Sequence, residues 1–198
     1  VDHRNDRSIA PLRCSWCGDD PLYQQYHDHE WGVPCRDAQK LFEMLLLEGF
    51  QAGLSWITVL RKRAHYRLIY RGFDAGFMAN QTDTELQELL QDAGIIRNRL
   101  KVYGARRNAQ AWLVLSEQHD PVEWLWQFVG GTPQINHLAS LRDAPTSTLA
   151  AEAMSKALKK AGFTFVGPTI CYAFMQATGM VMDHVTECFR YNALRGAD

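Results

Sequence analysis

Apolar residues recur along this chain with the period of an α-helix almost from end to end. Asp20 followed by Pro21 reads as an N-cap with proline in the first turn, after which Tyr23, Tyr26, His27 and Glu30 share a face as far as Gly32 and Pro34. Asp37 opens a second helix, LFEMLLLEGF, which Gly49 is expected to end, and Ser55 caps a third, WITVLRKRAHYRLIY. Thr82 and Glu85 form a capping box ahead of a stripe of Leu86, Leu89, Leu90 and Ala93, with a stop at Gly94. Asn98 caps a long successor reaching Gln118, and Asp120 with Pro121 starts a short helix that ends at Gly130 and Gly131. Ser147 or Thr148 starts AAEAMSKALKKAG. Pro168 begins TICYAFMQATG, apolar all round and therefore the expected buried central helix. Only FTFV, 163–166, reads as strand. The predicted fold is all-α, a single domain over 1–198 in which 1–12 is a flexible extension and 189–198 a tail. Residues 132–146 form a connection long enough to be functional or to hold an extra turn.

Composition agrees with this picture and removes several alternatives. A chain of 198 residues with 46% hydrophobic and 22% charged side chains has the makings of one substantial core, and is neither disordered, collagen-like nor coiled coil. Its longest apolar run, about a dozen residues around Phe163 to Met175, is broken by Gly167 and Pro168 and falls short of the roughly 18 that span a bilayer. The N-terminal stretch VDHRNDRSIAPLR has no apolar core of the secretory kind, so a cytoplasmic protein without a membrane partner is expected. Five cysteines, an odd number, favour free thiols or metal ligands over a disulfide framework. A net charge of −1 gives no sign of a polyanionic partner, yet residues 61–107 hold ten basic and five acidic side chains. That excess covers RKRAHYR and RNRLKVYGARR.

Four constellations have chemical potential. Cys14 and His27 near the start, with His184 and Cys188 near the end, make a two-sulfur, two-imidazole set of the kind that closes around a tetrahedral ion. Cys17 and His29 are rivals for two of those places. Glu48 falls on the apolar stripe of its helix, where a carboxylate is costly unless paired or used, although a partly exposed helix-end Glu would need no function. The loop after it, GFQAGLSW, is flanked by Gly49 and Gly53, which permit close backbone approach to a ligand. Trp16, Tyr23, Tyr26, Trp31 and Trp56 cluster in the first third of the chain and can pack a core or sandwich a flat heterocycle. Finally, DAGIIRNR joins two capped helices and has the form of a hairpin whose amides can hold a phosphate.

The stretches DPLYQQYHDHEWGVP, LFEMLLLEGFQAGLSWITVL, QDAGIIRNR, SKALKKAGFTFVGPTICYAFMQATG and DHVTEC resemble, in that order, the 3-methyladenine DNA glycosylase I family, constitutive bacterial alkylation-repair enzymes of the helix-hairpin-helix superfamily. The resemblance runs from Arg13 to Cys188. It implies an all-α fold in which one structural Zn²⁺ joins the N- and C-terminal segments through Cys14, His27, His184 and Cys188, rather than Cys17 or His29. It further implies a base pocket of Glu48, Tyr26 and Trp56 with Trp16 and Tyr23 as further walls. Gln51, Gly53 and Leu54 match the loop that enters DNA where a base has left the stack, and Gly94, Ile95, Ile96 and Arg97 match the hairpin that grips the backbone. The implied activity is hydrolysis of the N-glycosidic bond of N3-alkylated adenine in double-stranded DNA, releasing 3-methyladenine and leaving an abasic site. The implied enzyme is monofunctional, with no strand cleavage, and Lys40 is the one lysine close to Glu48 in sequence. A monomer acting in the cytoplasm at the nucleoid completes the expectation. Three departures stand out: Phe50 where a polar Gln is common, Pro168 in place of a threonine, and the extra thiol of Cys17. A non-enzymatic, zinc-stabilised hairpin module is the competing reading, and it leaves Glu48 unexplained.

Overall fold

A computed structural model describes residues 10–196, and of its ten α-helices among those residues six start at capping residues predicted from the sequence, Asp20, Asp37, Thr82, Asn98, Asp120 and Thr148. α1 spans Pro21–His29 and α2 Ala38–Gln51; Asp20 accepts from the amides of Leu22 and Tyr23, and Asp37 from that of Lys40. α3 spans Trp56–Ile69 after Ser55, whose hydroxyl pairs with that of Thr58 rather than with a backbone amide. α4, Ala75–Ala79, was not foreseen; Asp74 caps it. α5, Asp83–Leu89, begins with the expected Thr82 and Glu85 box, and α6, Arg99–Gln118, begins at Asn98. α7 covers Pro121–Trp126 and continues as a single 3₁₀ turn into left-handed Gly130. α8, Leu149–Lys160, is capped by Thr148, and α9, Pro168–Ala177, has proline at its first position.

Tertiary packing overrides several local expectations. Gly49 does not end α2; it lies inside the helix because a Cβ there would stand 3.2 Å from Cβ of Phe165. Gly104 on α6 seats the same ring, with Phe165 Cε2 3.1 Å from where its Cβ would be. The FTFV segment is correspondingly not a strand: Phe165 has φ +56, and the side chain of Asn108 donates to the carbonyl and accepts from the amide of Thr164. A side chain from α6 thus supplies what a partner strand would have. The strands present, β1 Gln134–Ile135 and β2 Val181–Met182, pair in parallel for two residues each. α5 stops at Leu89, short of Gly94, and Ala93 is exposed. The connection 132–146 holds β1 and a 3₁₀ turn at Leu141–Asp143.

The expected tails differ from expectation as well. Residues 1–9 lie outside the described residues, but by Leu12 the chain is tied down, its carbonyl accepting from the amide of Phe189. The expected tail at 189–198 instead begins with α10, Phe189–Leu194, because Tyr191 is buried and gives that turn a packed face. At the centre, α2 buries ten consecutive residues, Leu41 to Phe50, against α3, α6 and α9. α9 is less enclosed than its apolar sequence predicts: Ala173 and Gln176 on one side are half-exposed. No helix among the described residues is long and apolar enough to cross a membrane.

After α9 the chain turns at Gly179, with φ +69, and a Cβ there would lie 2.3 Å from backbone atoms of Val33 and Pro34. Gly72 has φ +72 and open space around it. Urea denaturation of Gly179→Ala should therefore show a loss of at least about 2 kcal/mol, against about 1 kcal/mol for Gly72→Ala, where only the backbone conformation is penalised.

Candidate active site

α2 buries two glutamates, and their surroundings differ decisively. Glu43 accepts from Arg63 Nε at 2.6 Å and Arg67 Nε at 2.9 Å, while Arg63 also forks onto Glu30. This carboxylate is paired for. Glu48, 3% exposed, has an Oε2 without a hydrogen-bond partner among the described residues. Burial alone pushes its carboxyl up to about 8. The apolar stripe thus placed it correctly, inside rather than at a wet helix end.

Glu48 lines a cavity of about 340 Å³ together with Trp16, Tyr23, Tyr26, Trp31, Gln51 and Trp56. Trp16 stands edge-on to Tyr23 at 4.9 Å and to Trp31 at 5.1 Å, and Tyr26 tilts against Trp56 at 5.3 Å. The indole N–H groups of Trp16 and Trp56 are also buried without partners. Three residues of one aromatic cavity thus present polar atoms able to bond a ligand that enters it, since buried polar groups are as a rule satisfied. Burial, and next the neighbouring Glu48, keeps the Tyr26 phenol protonated well above its ordinary range. Ala173 and Gln176 from α9, with Leu141, Ala144, Pro145 and Thr146 from the long connection, complete the wall. These residues were missed individually; the length of 132–146 was the signal for the last four. A larger cleft of about 650 Å³ is lined by Arg63, Glu30, Arg67 and Lys40, but Arg63 and Arg67 are already engaged with glutamates.

Behind the aromatic wall an early and a late segment of the described chain meet. Donor atoms of Cys14, His27, His184 and Cys188 all lie within 4.8 Å of one another, and all four residues are buried. Sulfur-to-nitrogen separations are 3.5 Å for Cys14 to His184, 3.4 Å for Cys188 to His27 and 3.5 Å for Cys188 to His184. A tetrahedral site of two thiolates and two imidazoles places sulfur and nitrogen ~3.5 Å apart, so the set could hold a metal. The remaining ring nitrogens are also engaged, His27 Nδ1 with Asp28 at 2.8 Å and His184 Nε2 with the Trp31 carbonyl at 2.9 Å, which fixes both rings. Hydrogen bonds from Cys14 foremost, then from the two imidazoles, draw the Cys188 thiol far down toward thiolate. Cys17 stays outside the set, its thiol donating to the Cys14 carbonyl. His184 and Cys188 are brought together without a helix, by a turn in which the Cys188 amide donates to the Val185 carbonyl.

Residues 16–191 match the methyladenine glycosylase family. The chain belongs to that family. It is 53% identical to DNA-3-methyladenine glycosylase 1 of Escherichia coli, over 90% of this chain and 96% of the relative, and 46% identical to DNA-3-methyladenine glycosylase of Haemophilus influenzae, over 89% and 96%. A crystal structure of a 3-methyladenine DNA glycosylase I superposes with a TM-score of 0.89 at 54% identity, covering 90% of this chain and 98% of that one. A variant of such an enzyme solved in complex with 3-methyladenine superposes with a TM-score of 0.86 at 32% identity, covering 89% and 96%.

In this methyladenine glycosylase family member the remaining predicted residues fall on two neighbouring segments. Gln51 faces the pocket, Gly53 turns the chain with φ +77, and Leu54 projects at 41% exposure. On the 92–98 hairpin, Ile95 is buried, Arg97 is exposed, and α3 holds the turn through His65 to Asp92 and Lys62 to the Ala93 carbonyl. The amides of Gly94 and Ile96 are already taken, by Asp92 Oδ1 and the Tyr66 hydroxyl. Gly94 is required by closeness to the His65 ring, 2.4 Å from its would-be Cβ. Part of the basic excess is paired off: Arg61, Arg63, Arg67 and Arg106 each meet a carboxylate, Arg63 in the interior and Arg61 and Arg67 at the surface. Lys101, which proximity in sequence to Glu48 did not reveal, reaches the end of α2 and donates to the carbonyls of Phe50 and Ala52.

The raised carboxyl of Glu48 has a consequence for stability. Its folded pKa of about 8 lies above the ordinary 4.5, so the folded chain holds a proton that the unfolded chain releases, and stability is lost as pH rises through that window. Glu48→Gln should match the wild type in thermal denaturation below pH 4.5 and be the more stable by a few kcal/mol above pH 8, the gap opening in between. A constant difference across that range would contradict the burial of an unpaired carboxyl.

Proposed function

We propose that this protein is a DNA-3-methyladenine glycosylase, which turns an N3-alkylated adenine out of duplex DNA and hydrolyses its N-glycosidic bond. The observation behind this reading is the partnerless carboxyl of Glu48 inside an aromatic box. Alkylation at N3 makes the adenine ring cationic and weakens the bond to the sugar, so the pocket's chief task is selection. Electron-rich faces of Tyr26, Trp56, Trp16 and Tyr23 favour a cationic ring, and Glu48 accepts hydrogen bonds from it as an anion. A neutral adenine leaves the carboxylate uncompensated at a site where burial already opposes ionisation, which is the basis for its rejection. Leu54, with Gln51 and Gly53, fills the gap in the stack, offsetting the few kcal/mol that extrusion costs.

The hairpin around Gly94, Ile95, Ile96 and Arg97 is read as the helix-hairpin-helix element. With the Gly94 and Ile96 amides engaged, phosphate falls to the exposed Arg97 and to the amides of Arg99 and Leu100, which precede the first intrahelical bond of α6. No lysine lines the pocket among the described residues, in keeping with hydrolysis without strand cleavage. The four terminal donors suit one Zn²⁺, which as a closed site lacks an open position for water and serves structure, joining Cys14 and His27 to His184 and Cys188. The whole chain acts as one domain and one monomer, in the bacterial cytoplasm at the nucleoid. A hairpin module that only binds DNA would have no use for Glu48 as it stands.

Wild-type protein should release free 3-methyladenine from alkylated duplex DNA, and Glu48→Gln and Glu48→Ala should each lower the single-turnover rate by about 10- to 100-fold. Duplex binding by the wild type with no base released would refute the enzyme; full activity in both variants would refute the role of Glu48. Elemental analysis should find one zinc per chain, and Cys188→Ser should lose it together with several kcal/mol of stability. A folded preparation free of metal would refute the zinc site.

A further inference from the structure

Lys101 is the third residue of α6, directly beyond the hairpin, and its side chain runs almost wholly buried to the end of α2. Nζ donates to the Phe50 carbonyl at 2.8 Å and to the Ala52 carbonyl at 2.6 Å. Alternate carbonyls of the same turn are closed locally, Gly49 by the amide of Ala52 and Gln51 by the amide of Leu54. Every carbonyl from Gly49 to Ala52 therefore has a donor, and half of those donors belong to one ammonium. The cation also sits at a helix C-terminus, where the peptide dipoles favour it. Burial without a carboxylate partner nevertheless works against its charge and lowers its pKa. An apolar side chain would fill the same space at less cost, so the ammonium is explained by the turn it organises.

We propose that Lys101 is a positioning residue for DNA engagement, fixing the 52–54 turn, and with it Leu54, in register with the 92–98 hairpin. This rests on the reading of that turn as the segment that enters the duplex. One side chain then couples the element that holds the backbone to the element that fills the gap, and the turn is set before DNA arrives, so little ordering remains to be done on binding.

The test uses the full chain with Lys101→Met, Lys101→Arg and Leu54→Ala, and two readouts. One is single-turnover release of 3-methyladenine from alkylated duplex DNA; the other is binding of free 3-methyladenine, followed by quenching of the pocket tryptophans. Lys101→Met should bind the free base as the wild type does, yet release it from duplex about tenfold or more slowly. Lys101→Arg, which still donates to both carbonyls, should recover much of the rate. Should Lys101→Met fail to fold, Lys101→Gln keeps an uncharged N–H donor group on a shorter side chain and is expected to show an intermediate loss. Parallel losses of base binding and release would place Lys101 in support of the pocket and overturn the inference. A wild-type release rate for Lys101→Met beside an impaired Leu54→Ala would overturn it while leaving the reading of the turn intact. An unimpaired Leu54→Ala would overturn that reading, and the inference with it.

Discussion

Residues 12–31 and 184–191 of this chain are packed into one another, and the pocket depends on that junction. Trp16 lies edge-on to His27 at 5.3 Å, and Trp31 lies edge-on to His184 at 4.7 Å. The same indoles form walls of the cavity that holds Glu48. Imidazoles that fix the terminal segments are therefore also the backing of the aromatic box, and their outer nitrogens are anchored by Asp28 and the Trp31 carbonyl. Arg13 in turn forks onto Asp28. A displacement of residues 184–188 would be felt at Trp16 and Trp31 with no flexible element between, because packed interiors transmit strain.

The cavity illustrates how a small domain tolerates a costly group. Glu43 and Glu48 occupy one helix five residues apart and are both buried, at 6% and 3% exposure. For Glu43 the desolvation is offset by two arginines of α3, and the result is a structural cross-link between helices. Glu48 has nothing comparable, and its raised pKa records the deficit. Stability is lower for it, and such sites persist where a ligand restores the balance.

Charge tells a similar story at the surface. The excess in 61–107 is real as a count, but four of its arginines spend their charge on neighbouring carboxylates. Of the cations left outward, Arg97 and Arg99 mark the start of α6, Arg99 stacked on Tyr103, while Arg71 lies exposed over Phe77 and Arg107 further along α6. Exposed cations so few suit a partner held at a few phosphates more than one wrapped along a broad face.

Helix starts were legible in the sequence because their determinants are local: Asp20, Asp37, Thr82, Asn98 and Asp120 each hold amides within three residues of themselves. The burial of Glu48 was legible too, since an apolar stripe of period 3.6 says which face turns inward. Other features depended on residues far away in the chain. Gly49 reads as a stop until Phe165 needs its space, and FTFV reads as a strand until Asn108 takes its hydrogen bonds. That Glu43 finds Arg63, that Lys101 meets Phe50 and Ala52, and that Glu48 meets no one are outcomes of assembly. A sequence determines which groups must be buried; only the tertiary structure decides which of them obtain a partner, because the partner arrives from another element.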